Sequence, residues 1–233
     1  MKHFLLKDYF KKINFDWELH KNEINTINKL TKTKQITNNK NIEIPGMEQT
    51  YLLFSINKYY NCKNFFEIGT GRGTTSYAVS LLPSIEKIIT LDIIPFEKNL
   101  NTIVNFEKKT ISLKGIYDLI PYKEKEKIKF YTKNSYDFDK TNYKNKFDIA
   151  FIDGCHDNVN TIINDFELCQ NIIKDNGVII FDDYLNIKEP TEAVDKIIKM
   201  YPNYNYSRIS FHGQLFEGKI RNKDHNIVIV EKL

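Results

Sequence analysis

Short apolar runs alternate along the chain with stretches whose apolar positions recur at helical spacing. Phe65–Ile68, Ile88–Asp92, Lys127–Tyr131, Phe147–Asp153 and Val178–Asp182 read as buried strands. Between them, Ser76–Leu82, Val159–Ile173 and Thr191–Tyr201 read as helices, the last stopped by Pro202. Met47, Tyr51, Leu52, Phe54 and Ile56 mark a further helix leading into the first strand. Ile93–Ile120 is expected to be helical with a break near Gly115, Asp175-Asn176-Gly177 to be a turn, and Tyr206–Phe211 and Asn226–Val230 to be two more strands. Strands alternating with helices predict an α/β fold with a mainly parallel sheet covered on both faces. Residues 1–43, rich in lysine and asparagine with a narrow stripe at Ile24, Ile27 and Leu30, are expected to be an N-terminal helical extension; Pro45-Gly46 punctuates the chain where the domain of residues 44–233 begins.

Chemistry concentrates at the strand ends. After Phe65-Phe66-Glu67-Ile68 comes Gly69-Thr70-Gly71-Arg72-Gly73, a loop whose glycines let the main chain approach a flat ligand. The next strand ends in Asp92, and at that end of an α/β sheet an acid can accept both hydroxyl hydrogens of a ribose. The spacing is G-x-G-x-G rather than the G-x-G-x-x-G of dinucleotide sites, and Glu67 would repel a pyrophosphate while suiting an ammonium and a sulfonium. These features point to S-adenosylmethionine over a nicotinamide cofactor. Farther on, strands end in Asp153 and in Asp182-Asp183. If those strands are neighbours, about 5 Å apart, three carboxylates share one rim, and grouped oxygen ligands favour a hard divalent cation such as Mg2+. His156, three residues beyond Asp153, has the chemistry of a general base, and Asp157 could orient it.

Glu67–Gly73 with Asp92 resembles the first two motifs of class I S-adenosylmethionine-dependent methyltransferases. Phe151–His156 and Ile179–Tyr184 resemble the metal-dependent O-methyltransferase branch that includes macrolide-sugar methyltransferases and the cephamycin-pathway enzyme. The resemblance covers residues 44–200 and implies a Rossmann-like, mainly parallel seven-stranded sheet. It implies cofactor contacts at Glu67, Gly69, Thr70, Gly71, Gly73, Asp92, Ser135 and Asp153, metal ligands at Asp153, Asp182 and Asp183, and His156 as base. Two departures stand out: the branch usually has a tyrosine where this chain has Asn158, and two glycines where it has Asn176-Gly177. The implied reaction is in-line methyl transfer to a hydroxyl of a small-molecule acceptor, a sugar or nucleotide sugar. The alternatives are a catechol-like phenol as acceptor and a binding protein that holds the cofactor without catalysis. Enzymes of this kind often form homo-oligomers.

Composition narrows the remaining choices. The 233 residues suit one α/β domain, 41% hydrophobic and 27% charged as in a water-soluble globular protein. A net charge of +4, spread over lysines interleaved with acids, demands no nucleic acid. No apolar run spans a membrane and the N-terminus lacks the pattern of a secretory signal, so a cytoplasmic protein is expected. Cys62, Cys155 and Cys169 form neither a disulfide framework nor a zinc pattern. His212, Arg221 and His225 are expected at the surface, and the acceptor pocket is expected from the N-terminal extension, residues 185–190 and residues 212–221.

Overall fold

The computed structural model describes residues 1–31, 35–37, 40–42, 47–100, 111–154, 157–211, 215 and 225–232. Among them, eight strands form the main sheet: β1 (Lys2–Leu5), β2 (Asn64–Ile68), β3 (Lys87–Asp92), β4 (Ile128–Thr132), β5 (Phe147–Ile152), β6 (Ile173–Phe181), β7 (Asn205–Phe211) and β8 (His225–Glu231). Their order in space is β1, β7, β8, β6, β5, β2, β3, β4. Strand β8 runs antiparallel to β6 and β7, and the other pairs are parallel. The helices are α1 (Leu6–Lys12), α2 (Lys21–Leu30), α3 (Met47–Tyr59), α4 (Thr74–Ser80), α5 (Leu113–Asp118), α6 (Tyr122–Lys125), α7 (Val159–Ile172) and α8 (Lys188–Met200).

The strands read as continuous apolar runs because both faces of the sheet are covered, and successive side chains point to opposite faces. Phe65, Ile88, Phe151, Ile180 and Ile229 join one buried cluster with Leu6, Phe10, Ile24 and Phe54 from the N-terminal helices and α3. Their strand neighbours Phe66, Ile89, Ile152, Ile179 and Val228 join a second, built on Phe166 of α7 and Val194 of α8.

The sheet has eight strands where seven are expected. The additional one is β1: residues 2–5 pair in parallel with Ser207–Ser210, so the N-terminal segment supplies an edge strand as well as helices. Four residues carry too little alternation to announce a strand; the free edge of β7 supplies the reason for pairing. The stretch 93–120 also differs from expectation. Asn99–Leu100 pairs antiparallel with Ile111–Ser112, and among the described residues of this stretch the helix begins at Leu113, where the Ser112 hydroxyl accepts from the Gly115 N–H at 3.0 Å. Gly115 therefore lies in the first turn of a helix rather than at a break. The Asp175-Asn176-Gly177 turn falls inside β6, as an irregularity of register between Ile173 and Val178. Among the described residues no helix is long and apolar enough to cross a membrane.

Candidate active site

Strand order reverses between β2 and β5, the place where open α/β sheets bind ligands beyond their carboxyl ends. Register sets the rim: Ile68 pairs with both Leu91 and Ile152, and Ile152 with Phe181. The next residues, Gly69, Asp92, Asp153 and Asp182, therefore emerge side by side. The sequence-predicted glycine loop and three of the acids are brought to one edge.

All three glycines of the loop have positive φ: 96° at Gly69, 51° at Gly71 and 73° at Gly73. Gly69 is the tightest, because a Cβ there would sit 2.0 Å from the carbonyl oxygen of Asp153. Gly71 is the opposite case, with nothing within 4 Å of its would-be Cβ. The main-chain N–H groups of Gly69 and Thr70 donate to the Leu91 carbonyl at 2.9 and 3.2 Å, pinning the loop over β3. The Asp92 carboxylate accepts from the N–H of Gly71 (2.9 Å) and of Ile94 (2.9 Å), which fixes its orientation at the rim. The open space over Gly71 beside a half-buried carboxylate fits a nucleoside ribose.

Glu67 lies beneath this loop, 1% exposed, where its Oε2 accepts from the hydroxyls of Ser76 and Thr90, each at 2.6 Å. Thr70 continues the chain through a 2.6 Å contact with Thr90. Burial pushes the Glu67 carboxyl up to about 7, against the opposing pull of those two hydrogen bonds. Ser135 is buried in a single 3₁₀ turn, Ser135–Asp137, whose preceding Asn134 side chain accepts from the Tyr136 N–H. Its hydroxyl donates to Asn134 Oδ1 at 3.4 Å, and burial raises the nearby Asp165 carboxyl of α7 to about 6, against the opposing pull of Ser135.

The acidic end of the rim holds more than the sequence suggests. Asp182 is 7% exposed, and its Oδ1 lies 2.6 Å from Nε2 of His225, which is itself 6% exposed. The same Nε2 is 3.6 Å from Oδ1 of Asp183. Burial alone would raise the Asp182 carboxyl, but the imidazole, the Asp183 N–H and Asp153 together hold it below the ordinary carboxylate range. Gln49, in the first turn of α3, reaches Asp182 Oδ2 at 3.3 Å and Asp153 Oδ2 at 3.5 Å. The next residue back, Glu48, is fully buried and accepts from the Leu215 N–H at 2.7 Å. Asp183 and Leu185 both have positive φ, 55° and 63°, a backbone that aspartate tolerates and that is uncommon for leucine. Among the described residues, Asp182, Asp183 and His225 each offer one atom within 4.8 Å of the others, a donor set chemically suited to a divalent cation.

His225 is thus buried in the site rather than at the surface. It opens β8, and because β8 is antiparallel its first residue lies at the rim where the parallel strands end. His212, Arg221, Cys155 and His156 lie outside the described residues, as does the greater part of 212–221. Asn158, which replaces the expected tyrosine, is the N-cap of α7, accepting from the N–H groups of Asn160 and Thr161 at 2.8 and 3.3 Å. Cys62 and Cys169 are buried free thiols. The sequence carries only slight signals for Gln49 and His225 at this site: a polar residue opening an apolar helix and a histidine opening a strand that returns to the rim.

No curated protein matches the sequence. Solved structures do, at low identity and with bearing on the fold alone. A Staphylococcus aureus protein proposed to be a caffeoyl-CoA O-methyltransferase aligns over 93% of this chain and 96% of its own, at 19% identity and TM-score 0.58. An O-methyltransferase from Bacillus cereus, in complex with S-adenosylhomocysteine, aligns over 90% of each chain at 14% identity and TM-score 0.56. Spermidine synthase from Thermotoga maritima aligns with 79% of this chain at 16% identity and TM-score 0.54, and the alignment spans only 59% of that longer chain. A family model described as a methyltransferase domain (Methyltransf_24) matches residues 66–184, from β2 through the glycine loop and Asp153 to the acids after β6. With just over half of its length matched, the chain belongs to this methyltransferase-domain family.

Proposed function

We propose that the protein is a metal-dependent S-adenosylmethionine O-methyltransferase that transfers a methyl group in line to a hydroxyl of a sugar, free or nucleotide-linked. The observation that carries this reading is the continuity of the rim: the glycine loop abuts the main chain of Asp153, and Asp153 lies beside Asp182. When bound, S-adenosylmethionine supplies an electrophilic methyl group, and a divalent cation lowers the pKa of the acceptor hydroxyl. The chain's own residues then have distinct tasks. Gly71 and Asp92 seat the ribose, Gly69, Thr70 and Gly73 shape the loop, and Glu67 holds that loop from below through Ser76 and Thr90. Ser135 closes the side towards the adenine. Asp153, Asp182 and Asp183 are the carboxylates for the cation, and Gln49 spans two of them. His156, by its spacing from Asp153, takes the proton from the acceptor. No covalent enzyme intermediate is needed, because proximity and alignment do the work.

A catechol-like phenol is the second acceptor class, since adjacent phenolic oxygens chelate the same kind of site. The likeness to the Staphylococcus aureus protein favours including it. One experiment tests both. The purified protein is incubated with S-adenosylmethionine and panels of nucleotide sugars and catechols, with divalent cation or with chelator, and products are weighed by mass spectrometry. A cation-dependent gain of one methyl group on a sugar is expected. Asp182→Asn should lower turnover by about 100-fold or more while leaving S-adenosylhomocysteine affinity within about threefold. Equal loss of turnover and cofactor binding would remove the separate metal role, and methylation of catechols alone would replace the sugar reading.

A further inference from the structure

We propose that His225 is a nitrogen ligand of the cation site, so that the site selects a transition ion such as Mn2+ over Mg2+. The inference rests on the metal-dependent reading above and adds the identity of the ion. Its basis is geometric. The His225 Nε2 lies 2.6 Å from one Asp182 oxygen and 3.6 Å from one Asp183 oxygen. Neighbouring ligands of an octahedral ion bound at about 2.1 Å are roughly 3 Å apart, so the two distances bracket the separation that shared coordination requires. All three donor atoms lie within 4.8 Å of one another.

The imidazole is already held for that task. His225 pairs with Phe211 in the β7–β8 ladder, and the Phe211 ring meets it edge-on with centroids 5.2 Å apart. The side chain is buried, so little ordering entropy remains to be lost when an ion binds. Asp183 sits in a left-handed backbone conformation that turns its carboxylate into the same cluster. Carboxylates alone suit Mg2+, which demands near-ideal oxygen geometry and surrenders its waters reluctantly; an imidazole nitrogen beside two carboxylates suits Mn2+, Fe2+, Co2+ or Zn2+.

The test uses the full-length protein stripped of metal and Mn2+ as probe. Electron paramagnetic resonance gives the Mn2+ affinity and its competition by Mg2+, and electron spin-echo modulation reports nitrogen bound to the ion. Protein labelled with 15N-histidine identifies that nitrogen as imidazole, and His225→Gln separates His225 from His156. Expected is histidine-nitrogen coupling to bound Mn2+ that His225→Gln abolishes. The same variant should weaken Mn2+ by about tenfold or more and change Mg2+ affinity by less than about threefold. Bound Mn2+ without histidine coupling in the wild-type protein would overturn the proposal while leaving an oxygen-only metal site intact, and that result does not depend on how the variant folds. Coupling that survives His225→Gln, or equal weakening of both ions, would also overturn it. Failure of the wild-type protein to bind either ion would remove the metal-dependent reading and this inference together.

Discussion

Glu67 shows how far one side chain can depart from the role its position suggests. A carboxylate two residues before the loop could face a ligand's ammonium, yet here its Oε2 accepts from two hydroxyls beneath the loop. Its folded pKa, about 7, lies above the ordinary value of 4.5 because burial disfavours the charge. The sign follows: the stability this group contributes is fully present below about pH 4.5 and is lost as pH rises through 7. That difference is on the order of 3 kcal/mol. Asp165 acts in the same direction at lower pH, and Asp182 in the opposite one, so the total pH profile does not isolate Glu67. The comparison with Glu67→Gln does. The melting temperature of the wild-type protein should fall relative to that variant between pH 5 and 8, at about 2–4 °C per kcal/mol. Parallel melting curves over this range would mean that Glu67 is not raised.

At the level of elements, the chain is legible where one element answers to one pattern. The runs Phe65–Ile68, Ile88–Asp92 and Phe147–Asp153 are predominantly apolar because both sheet faces are covered, and each ends close to where its acid or glycine leaves the sheet. The rest depends on partners distant in sequence. Strand β1 exists because β7 has an edge to fill, Gln49 enters the site through the packing of α3, and His225 reaches Asp182 only through the antiparallel register of β8. A single histidine or glutamine carries no periodicity, so no local pattern could have placed them. The N-terminal segment supplies the clearest energetic test. Leu6, Tyr9 and Phe10 of α1 are buried in the cluster that also holds Phe151 and Ile229. Phe10→Ala should therefore destabilise the whole protein by about 3–5 kcal/mol, read from chemical denaturation with an unchanged denaturant slope. A loss below about 1 kcal/mol would show that the segment sits on the sheet without supporting it.

For the molecule as a whole, the proposed function divides the sheet into a donor half and an acceptor half, and the joint between them is a contact between two backbones. Gly69, at the end of β2, approaches Asp153, at the end of β5, so closely that a Cβ would lie 2.0 Å from the carbonyl oxygen. The Asp153 N–H also donates to the Ile68 carbonyl at 2.8 Å. The glycine loop and Asp153 therefore cannot shift independently. Gly71 lies in the same loop but faces open space, so it belongs to the donor half alone. Two substitutions separate these cases. Gly71→Asn keeps a residue that tolerates left-handed backbone and places its side chain in the nucleoside space. It should weaken S-adenosylhomocysteine by about tenfold or more, about 1.4 kcal/mol, and leave Mn2+ affinity within about twofold. Gly69→Ala must displace main chain on both sides, so a folded variant should lose affinity for both ligands by about tenfold or more. Calorimetric titration of each ligand into each variant reads the four affinities directly. If Gly69→Ala weakened the nucleoside alone, the two halves would move separately, and the close approach of Gly69 to Asp153 would serve the packing of β2 on β5 rather than the alignment of donor with acceptor.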